Sequence, residues 1–154
     1  MAVIRRFIGR DGALDWENAP IHRYEGATLG ASRRTLIGPE DGAQHYGLRY
    51  FEIQPGGWSS FDEHAHDHGV YVLRGRGSVL LGEETVEIGP GDVIYIPPFE
   101  KHWFHATGDE PLGFLCVAPP KAAADGQGPA DGAQAQASAA GEERSTAGGA
   151  PERC

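Results

Sequence analysis

The sequence predicts an all-β protein, a single small antiparallel β-barrel or jelly roll, and three observations lead to this fold class. Short runs rich in β-branched and aromatic residues recur from Tyr46 onward. The breaks between these runs contain the glycine and proline combinations of tight turns. No stretch after Tyr46 keeps the 3.6-residue period of an amphipathic helix. Short strands at such even spacing favour a small barrel over alternating strands and helices.

Seven strands are predicted in this region. They cover residues 48–53, 70–73, 78–81, 85–88, 93–96, 102–105 and 112–117. The predicted breaks lie at residues 55–57, 75–77, 82–84, 89–92, 97–98 and 108–109, where glycine, proline and acidic residues cluster.

Composition divides the chain into three parts. Residues 46–120 form the predicted barrel. Residues 1–45 have turn signals but little periodicity, and we interpret them as an N-terminal arm or extra strands. Residues 121–154 are mostly Ala, Gly, Gln, Ser and Pro, and from Ala122 onward they lack every large apolar residue. Such a segment cannot bury enough apolar surface to offset the cost of ordering it, which predicts a disordered low-complexity tail.

Charge and composition exclude several classes of function. The chain has 13 basic and 22 acidic residues, a formal net charge of −9, which argues against nucleic-acid binding. No apolar run approaches the roughly 20 residues that span a bilayer, so no membrane partner is expected. The N-terminus lacks the apolar core of a secretory signal, and we therefore expect a cytoplasmic protein. Two cysteines, Cys116 and Cys154, are too few for a disulfide framework.

Histidines carry the clearest chemical signal. His64, His66 and His68 fall at alternate positions, and His102 and His105 follow three strands later. Alternate residues of a strand face the same side, so this row can direct its imidazoles at one ion. The spacing therefore predicts a metal site. The competing interpretation is a solvated, acidic edge strand that binds metals only adventitiously.

Two motifs around these histidines resemble those of the cupin family. The first cupin motif, G(X)5HXH(X)3-4E(X)6G, aligns with Gly56, Asp62, His64, His68 and Gly75. In this alignment Asp62 replaces the first histidine of the motif, and His68 replaces its glutamate.

The second cupin motif, G(X)5PXG(X)2H(X)3N, aligns with Gly91, Pro97, Phe99, His102 and Ala106. Here Phe99 replaces a glycine and Ala106 replaces the asparagine. The resemblance covers residues 48–119, nearly all of the readable sequence, and it implies the cupin barrel fold.

The resemblance also implies a metal site. His64, His68 and His102 occupy three of the family's four metal positions, and Asp62 occupies the fourth. A competing alignment pairs His64 with His66, so Asp62 and His66 are rivals for the fourth place. The expected cofactor is one divalent transition metal, and the sequence leaves Fe, Mn, Ni, Cu and Zn open.

Two functions are compatible with this site. The first is a metal-dependent enzyme that binds a small-molecule substrate, either a dioxygenase acting on a small organic acid or phenol, or, with zinc, an isomerase or lyase. The second is a non-catalytic cupin that senses or stores a metal or small ligand. No catalytic residue is identifiable beyond the histidines themselves.

Four further expectations concern individual residues and assembly. Arg74 and Arg76 could attract an anionic substrate, although a solvated turn is favoured, and Cys116 is interpreted as a small buried apolar residue. The protein is expected to be a homodimer, as cupins commonly are. Five apolar residues of the N-terminal segment would then cover a partner or, alternatively, the chain's own sheet: Ile4, Phe7, Ile8, Leu14 and Trp16.

Overall fold

The computed structural model describes residues 1–120, and within this part of the chain it contains nine β-strands and no α-helix. The strands are β1 (Ile21–Arg23), β2 (Leu29–Ile37), β3 (Gly47–Trp58), β4 (His68–Arg74), β5 (Gly77–Leu81), β6 (Glu84–Ile88), β7 (Val93–Ile96), β8 (His102–Ala106) and β9 (Leu112–Ala118). A 3-10 helix, Pro39–Asp41, follows β2. The predicted all-β class is confirmed. The predicted disordered tail lies outside the described residues.

All nine strands belong to one antiparallel sheet that curls into a half-barrel. The main order is β6-β5-β8-β3-β9-β4-β7, and β1 and β2 extend it by pairing beyond β3. The twelve-residue strand β3 is the organising element, because it pairs with β2, β8 and β9. Among the described residues, no helix is long and apolar enough to cross a membrane.

Each of the seven predicted strands is present, and most extend beyond their predicted ends. The predicted break at residues 55–57 is wrong, because these residues lie within β3. Between the pairs Leu29↔Trp58 and Ala31↔Ile53, the register shifts, so that β3 bulges opposite a single residue of β2. The left-handed backbone of Gly56, with φ of 74°, serves this bulge and does not end the strand.

Alternation along the strands produces a core on the concave face of the sheet. Val70 and Val72 of β4 and Leu112 and Phe114 of β9 point inward and are at most 4% exposed. Full burial of one such side chain contributes about 1.5 to 3 kcal/mol to folding. This core therefore stabilises the curled sheet.

Within the N-terminal segment 1–45, residues 21–37 contain β1 and β2. Residues 1–20, called the arm from here on, pack on the opposite face of the same sheet. Leu14 and Trp16 contact a second cluster that contains Leu36 and Tyr50, and the Trp16 and Tyr50 ring centroids are 5.2 Å apart. Arg34 of β2 donates a 2.7 Å hydrogen bond to the Ala19 carbonyl, which attaches the arm to the sheet. Of the five apolar residues expected to cover a sheet, two, Leu14 and Trp16, therefore cover the chain's own sheet.

The other three of these five residues remain largely in solvent. Ile4, Phe7 and Ile8 are 74%, 56% and 47% exposed, although Phe7 touches Trp16 edge-on at 5.6 Å. A polar contact anchors this part of the arm: the Arg5 guanidinium lies 2.9 Å from the Asp41 carboxylate and lowers the pKa of that carboxyl. The intramolecular cover is thus partial.

The second cluster predicts unequal effects for alanine at two strand glycines. A Cβ on Gly113 would collide with the Tyr50 hydroxyl, which donates a 2.7 Å hydrogen bond to Glu52, whereas a Cβ on Gly69 meets no atom within 4 Å. Gly113→Ala should lower the free energy of unfolding by about 1 to 3 kcal/mol. Gly69→Ala, the matched control, should change it by less than about 1 kcal/mol. Urea titrations measure both, and equal effects would contradict the packing described.

Candidate metal centre

The loop that carries His64 and His66 is fastened to β8 by backbone hydrogen bonds. Asp62 and His102 form a two-way pair, with N–H to carbonyl distances of 3.0 and 2.9 Å. The Phe99 N–H donates to the His64 carbonyl at 2.8 Å. These bonds position residues 62–64 directly beside the start of β8.

The prediction that His64, His66 and His68 lie on one strand is wrong. Strand β4 begins at His68, so His64 and His66 lie in the preceding loop and not on a strand. A bend at residues 65–66, and not strand alternation, brings the side chains of His64 and His68 together. The physical reason is that the loop pairs with β8 instead of continuing β4.

The turn before β8 contains one departure from the cupin motif. Phe99 stands where that motif has glycine, and its backbone is left-handed, with φ of 63°. Glycine adopts this conformation without cost, whereas other residues are strained in it. The Phe99 ring is 65% exposed, and its backbone N–H holds the His64 carbonyl. The strain is therefore kept at a position that shapes the site.

Three imidazoles converge in this region. His64, His68 and His102 each offer one ligand atom, and these atoms all lie within 4.8 Å of one another. The Nε2 atoms of His64 and His68 are 2.9 Å apart. Two nitrogens bound to one ion at about 2.1 Å stand about 3.0 to 3.4 Å apart, so the spacing of this pair is slightly shorter than that of two ligands of one ion.

Each of the three rings has its other nitrogen occupied by a protein acceptor. Nδ1 of His102 lies 2.8 Å from the Glu100 carbonyl, and Nδ1 of His64 lies 3.2 Å from the His66 carbonyl. Nδ1 of His68 lies 3.1 Å from Sγ of Cys116. We assign the ring proton to Nδ1 in all three, which leaves Nε2 as the free ligand atom. Metal-binding histidines are characteristically held in this way.

The electrostatics of the cluster favour a bound cation. Burial, followed by the neighbouring His64 and His102 rings, lowers the pKa of His68 to about 3, so this ring is neutral at pH 7. With Nδ1 protonated, the Nε2 lone pairs of His64 and His68 face each other at 2.9 Å. A positive ion between them would relieve that repulsion, and neutral imidazoles suit Zn, Cu, Fe and Ni.

The remaining predicted site residues lie around this cluster. The His66 ring stacks on His64 with centroids 3.9 Å apart, outside the group of three. The Asp62 carboxylate lines the same cavity and accepts a 2.7 Å hydrogen bond from Ser60 Oγ. Both stay candidates for the fourth position. His105 lies apart from the cluster, with its ring 4.5 Å from that of Trp103.

The three histidines open into a cavity of about 210 Å³. One wall is aromatic, with the Phe114 ring 5.5 Å from Phe51 and 4.6 Å from Phe104. A second wall carries Arg33 of β2 and Arg49 of β3. The cavity thus combines a possible ion site, an apolar wall and two positive charges.

Sequence reasoning missed two groups of residues here. Arg33 and Arg49 line the cavity, whereas Arg74 pairs with Glu52 at 3.8 Å and Arg76 is exposed. Strand alternation could have predicted the position of Arg49, because Arg49, Phe51 and Ile53 share the inward face of β3 and all three line the cavity. Cys116 is buried as expected, but it also contacts His68, which only its position on β9 reveals.

Comparisons with known proteins support a family assignment. A sequence profile of the cupin domain matches residues 49–118. The chain is 47% identical over 70 residues to the 1-methylthio-D-xylulose 5-phosphate methylsulfurylase of Rhodospirillum rubrum, a match that covers 46% of this chain and 45% of that one. It is 42% identical over 60 residues to a glucose-6-phosphate isomerase of Thermococcus kodakarensis, covering 36% of this chain and 32% of the relative. Each match thus spans less than half of the curated relative.

One solved structure covers more of the chain. A cupin-2 domain protein from Rhodospirillum rubrum superposes with a TM-score of 0.66 at 33% identity, covering 73% of this chain and 77% of that chain. The fold, the profile match and this structural likeness agree with the motifs around the three histidines. The chain therefore belongs to the cupins and is a small cupin-2 protein.

Proposed function

We propose that this protein is a metal-dependent enzyme that holds one divalent transition metal through His64, His68 and His102. The observation that carries the proposal is the arrangement of the three rings: each Nδ1 contacts a protein atom, and one ligand atom from each ring lies within 4.8 Å of the others. His66 or Asp62 would complete the ligand set. When bound, such an ion supplies Lewis-acid chemistry to a substrate oxygen.

The side chains of the cavity have separate tasks in this proposal. Three neutral ligands leave the positive charge of the ion uncancelled, which favours an anionic substrate oxygen beside it. Whichever of His66 and Asp62 is not a ligand lines the same cavity and can carry a proton to or from the substrate. The aromatic wall of Phe51, Phe104 and Phe114 excludes water from the reacting end.

Isomerase or lyase chemistry is the reaction class that we favour. Polarising a carbonyl with an ion while a nearby side chain moves a proton is what such reactions need. Two of the relatives are named for reactions of sugar phosphates, which supports this choice for a cavity that also contains two arginines.

A dioxygenase acting on a phenolic acid is the second candidate. The stacked phenylalanines favour it, because an aromatic substrate would pack against them. Iron, manganese, nickel or copper would be the appropriate metals.

A first test measures the metal. Protein purified without an affinity tag should contain about one divalent transition metal ion per chain by elemental analysis. Loss of a residue that only hydrogen-bonds a metal ligand commonly lowers metal affinity by about 10- to 100-fold. His102→Ala removes a ligand itself, so this variant should lower metal affinity by more than about 100-fold. His105→Ala is the matched control on the same strand and should keep wild-type occupancy. Full retention by His102→Ala would refute the site.

A second test separates the reaction classes. The metal-loaded protein is incubated in D2O with pentose and hexose phosphates, without oxygen, and deuterium incorporation is followed by NMR. In parallel, oxygen uptake is measured with phenols and small organic acids. Anaerobic exchange that His102→Ala abolishes supports the isomerase or lyase proposal, and metal-dependent oxygen uptake supports the dioxygenase. A protein that binds metal but does neither would instead be the non-catalytic sensor or storage module.

Acidification should destabilise the metal-free protein through His68. Folded His68 stays neutral down to about pH 3, whereas in the unfolded chain it takes up a proton near its ordinary pKa of 6.5. The unfolded state therefore binds more protons between these values, so the contribution is complete above about pH 6.5 and is lost as the pH falls toward 3. In EDTA, His68→Gln should flatten the fall in unfolding free energy between about pH 6.5 and 4, measured by urea titration. His45→Gln, an exposed control, should keep the wild-type slope, and an unchanged slope in His68→Gln would contradict this account.

The homodimer predicted from the sequence remains a proposal. The outer faces of β4, β7 and β9 support it, because Tyr71, Val93, Tyr95 and Val117 are adjacent in register and 42% to 76% exposed. An apolar sheet face of this kind is suited to an isologous contact.

A further inference from the structure

Two arginines meet on the inner face of the sheet with no acidic partner. Arg33 lies opposite Phe51 in the register of β2 and β3, and Thr35 lies opposite Arg49, which makes the two arginines diagonal neighbours. Among residues 1–120, no carboxylate reaches salt-bridge distance of either guanidinium. Asp62 is the acidic residue that lines the same cavity, and it too lies beyond salt-bridge distance of both, in a protein with 22 acidic residues and a net charge of −9.

This arrangement opposes stability, because like charges on adjacent strands repel and both side chains are half-buried. Aromatic rings offset only part of the cost. The Arg33 guanidinium carbon lies 5.8 Å from the centroid of the Tyr24 ring, and that of Arg49 lies 6.0 Å from the Phe51 ring. A pair of this kind is what an anion-binding site requires.

A second, independent observation points to a polar ligand at the same place. The hydroxyl of Thr28 is buried without a hydrogen-bond partner, and it lines the cavity together with Tyr24 and both arginines. A buried hydroxyl without a partner is unfavourable, so a ligand oxygen that accepts a hydrogen bond from it would be stabilised there.

The donor count selects the class of anion. A carboxylate has a single charge and two oxygens, and one bidentate arginine saturates much of it. A phosphate monoester has nearly two charges and three terminal oxygens, which match two guanidinium groups and neighbouring hydroxyls.

We propose that Arg33 and Arg49, with the hydroxyls of Tyr24 and Thr28, bind the phosphate of a substrate whose other end reaches His64, His68 and His102. The two ends belong to one cavity of about 210 Å³, which suits a compact phosphorylated molecule. Arg49 lies opposite Cys116 in the register of β3 and β9, and Cys116 contacts His68. The phosphate end and the histidine end are thus separated by one side chain. The identity of the substrate rests on the proposed function, but the phosphate site does not require a metal.

The location needs its own control, because both arginines also border a second cavity of about 150 Å³ on the side away from the histidines. Thr28 lines only the histidine cavity, and Thr35 lines only the second one. Valine at each position removes one hydroxyl with little change in shape. The two variants therefore report which side of the arginine pair the phosphate occupies.

The experiment measures binding of inorganic phosphate to EDTA-treated protein by titration calorimetry at constant ionic strength, with acetate as the carboxylate comparison. Phosphate should bind about tenfold or more tightly than acetate. Arg33→Met and Arg49→Met should each weaken it by about tenfold or more, whereas Arg23→Met, an exposed arginine on β1, should stay within about twofold of wild type. Thr28→Val should weaken binding and Thr35→Val should not. Thermal unfolding followed by circular dichroism confirms that each variant folds.

Several outcomes would overturn the inference. Acetate binding as tightly as phosphate, wild-type affinity in either arginine variant, or weakening by Thr35→Val instead of Thr28→Val each contradicts it. His102→Ala distinguishes it from the proposed function, since this variant should lose metal while keeping phosphate affinity. Phosphate binding in a protein that takes up no metal would leave the subsite established and refute the metal-dependent enzyme.

Discussion

The backbone pair between Asp62 and His102 is the contact on which the candidate site depends. Two reciprocal hydrogen bonds attach an otherwise irregular loop to β8, which is itself held between β5 and β3. Ordering a free loop costs about 1 to 2 kcal/mol per residue in backbone entropy, so attachment to an interior strand is an efficient way to hold it. Through this pair, the side chain of His64 is placed beside His102, and the start of β4 delivers His68 to the same point.

The three rings are oriented by acceptors that come from different parts of the chain. A loop carbonyl, a carbonyl just before β8 and a thiol on β9 each engage one Nδ1. Burial raises the pKa of the Cys116 thiol, so it remains protonated and acts as a weak neutral partner instead of competing for an ion. The three histidines thus meet in a cavity that also contains the Asp62 carboxylate and two arginines without a salt bridge.

The two faces of the sheet have different contacts. The concave face combines an apolar core with the cavity, and the convex face packs against the N-terminal arm through Trp16 and Tyr50. The arm packs against the convex face of β2 and β3, the strands that also carry Arg33 and Arg49 on the concave face. The same two strands therefore contact the arm on one face and line the cavity on the other.

The sequence by itself determined the fold class, all seven strands after Tyr46 and the three histidines of the candidate metal site. It could do so because strand periodicity, turn chemistry and histidine spacing are local properties. Tertiary structure decided the rest. The 55–57 segment became a bulge because β2 pairs across it, and His64 joined His68 through a bend because its loop pairs with β8. Arg33, Arg49 and Cys116 entered the site through long-range strand register, and no local pattern in a single sequence specifies which distant strands will pair.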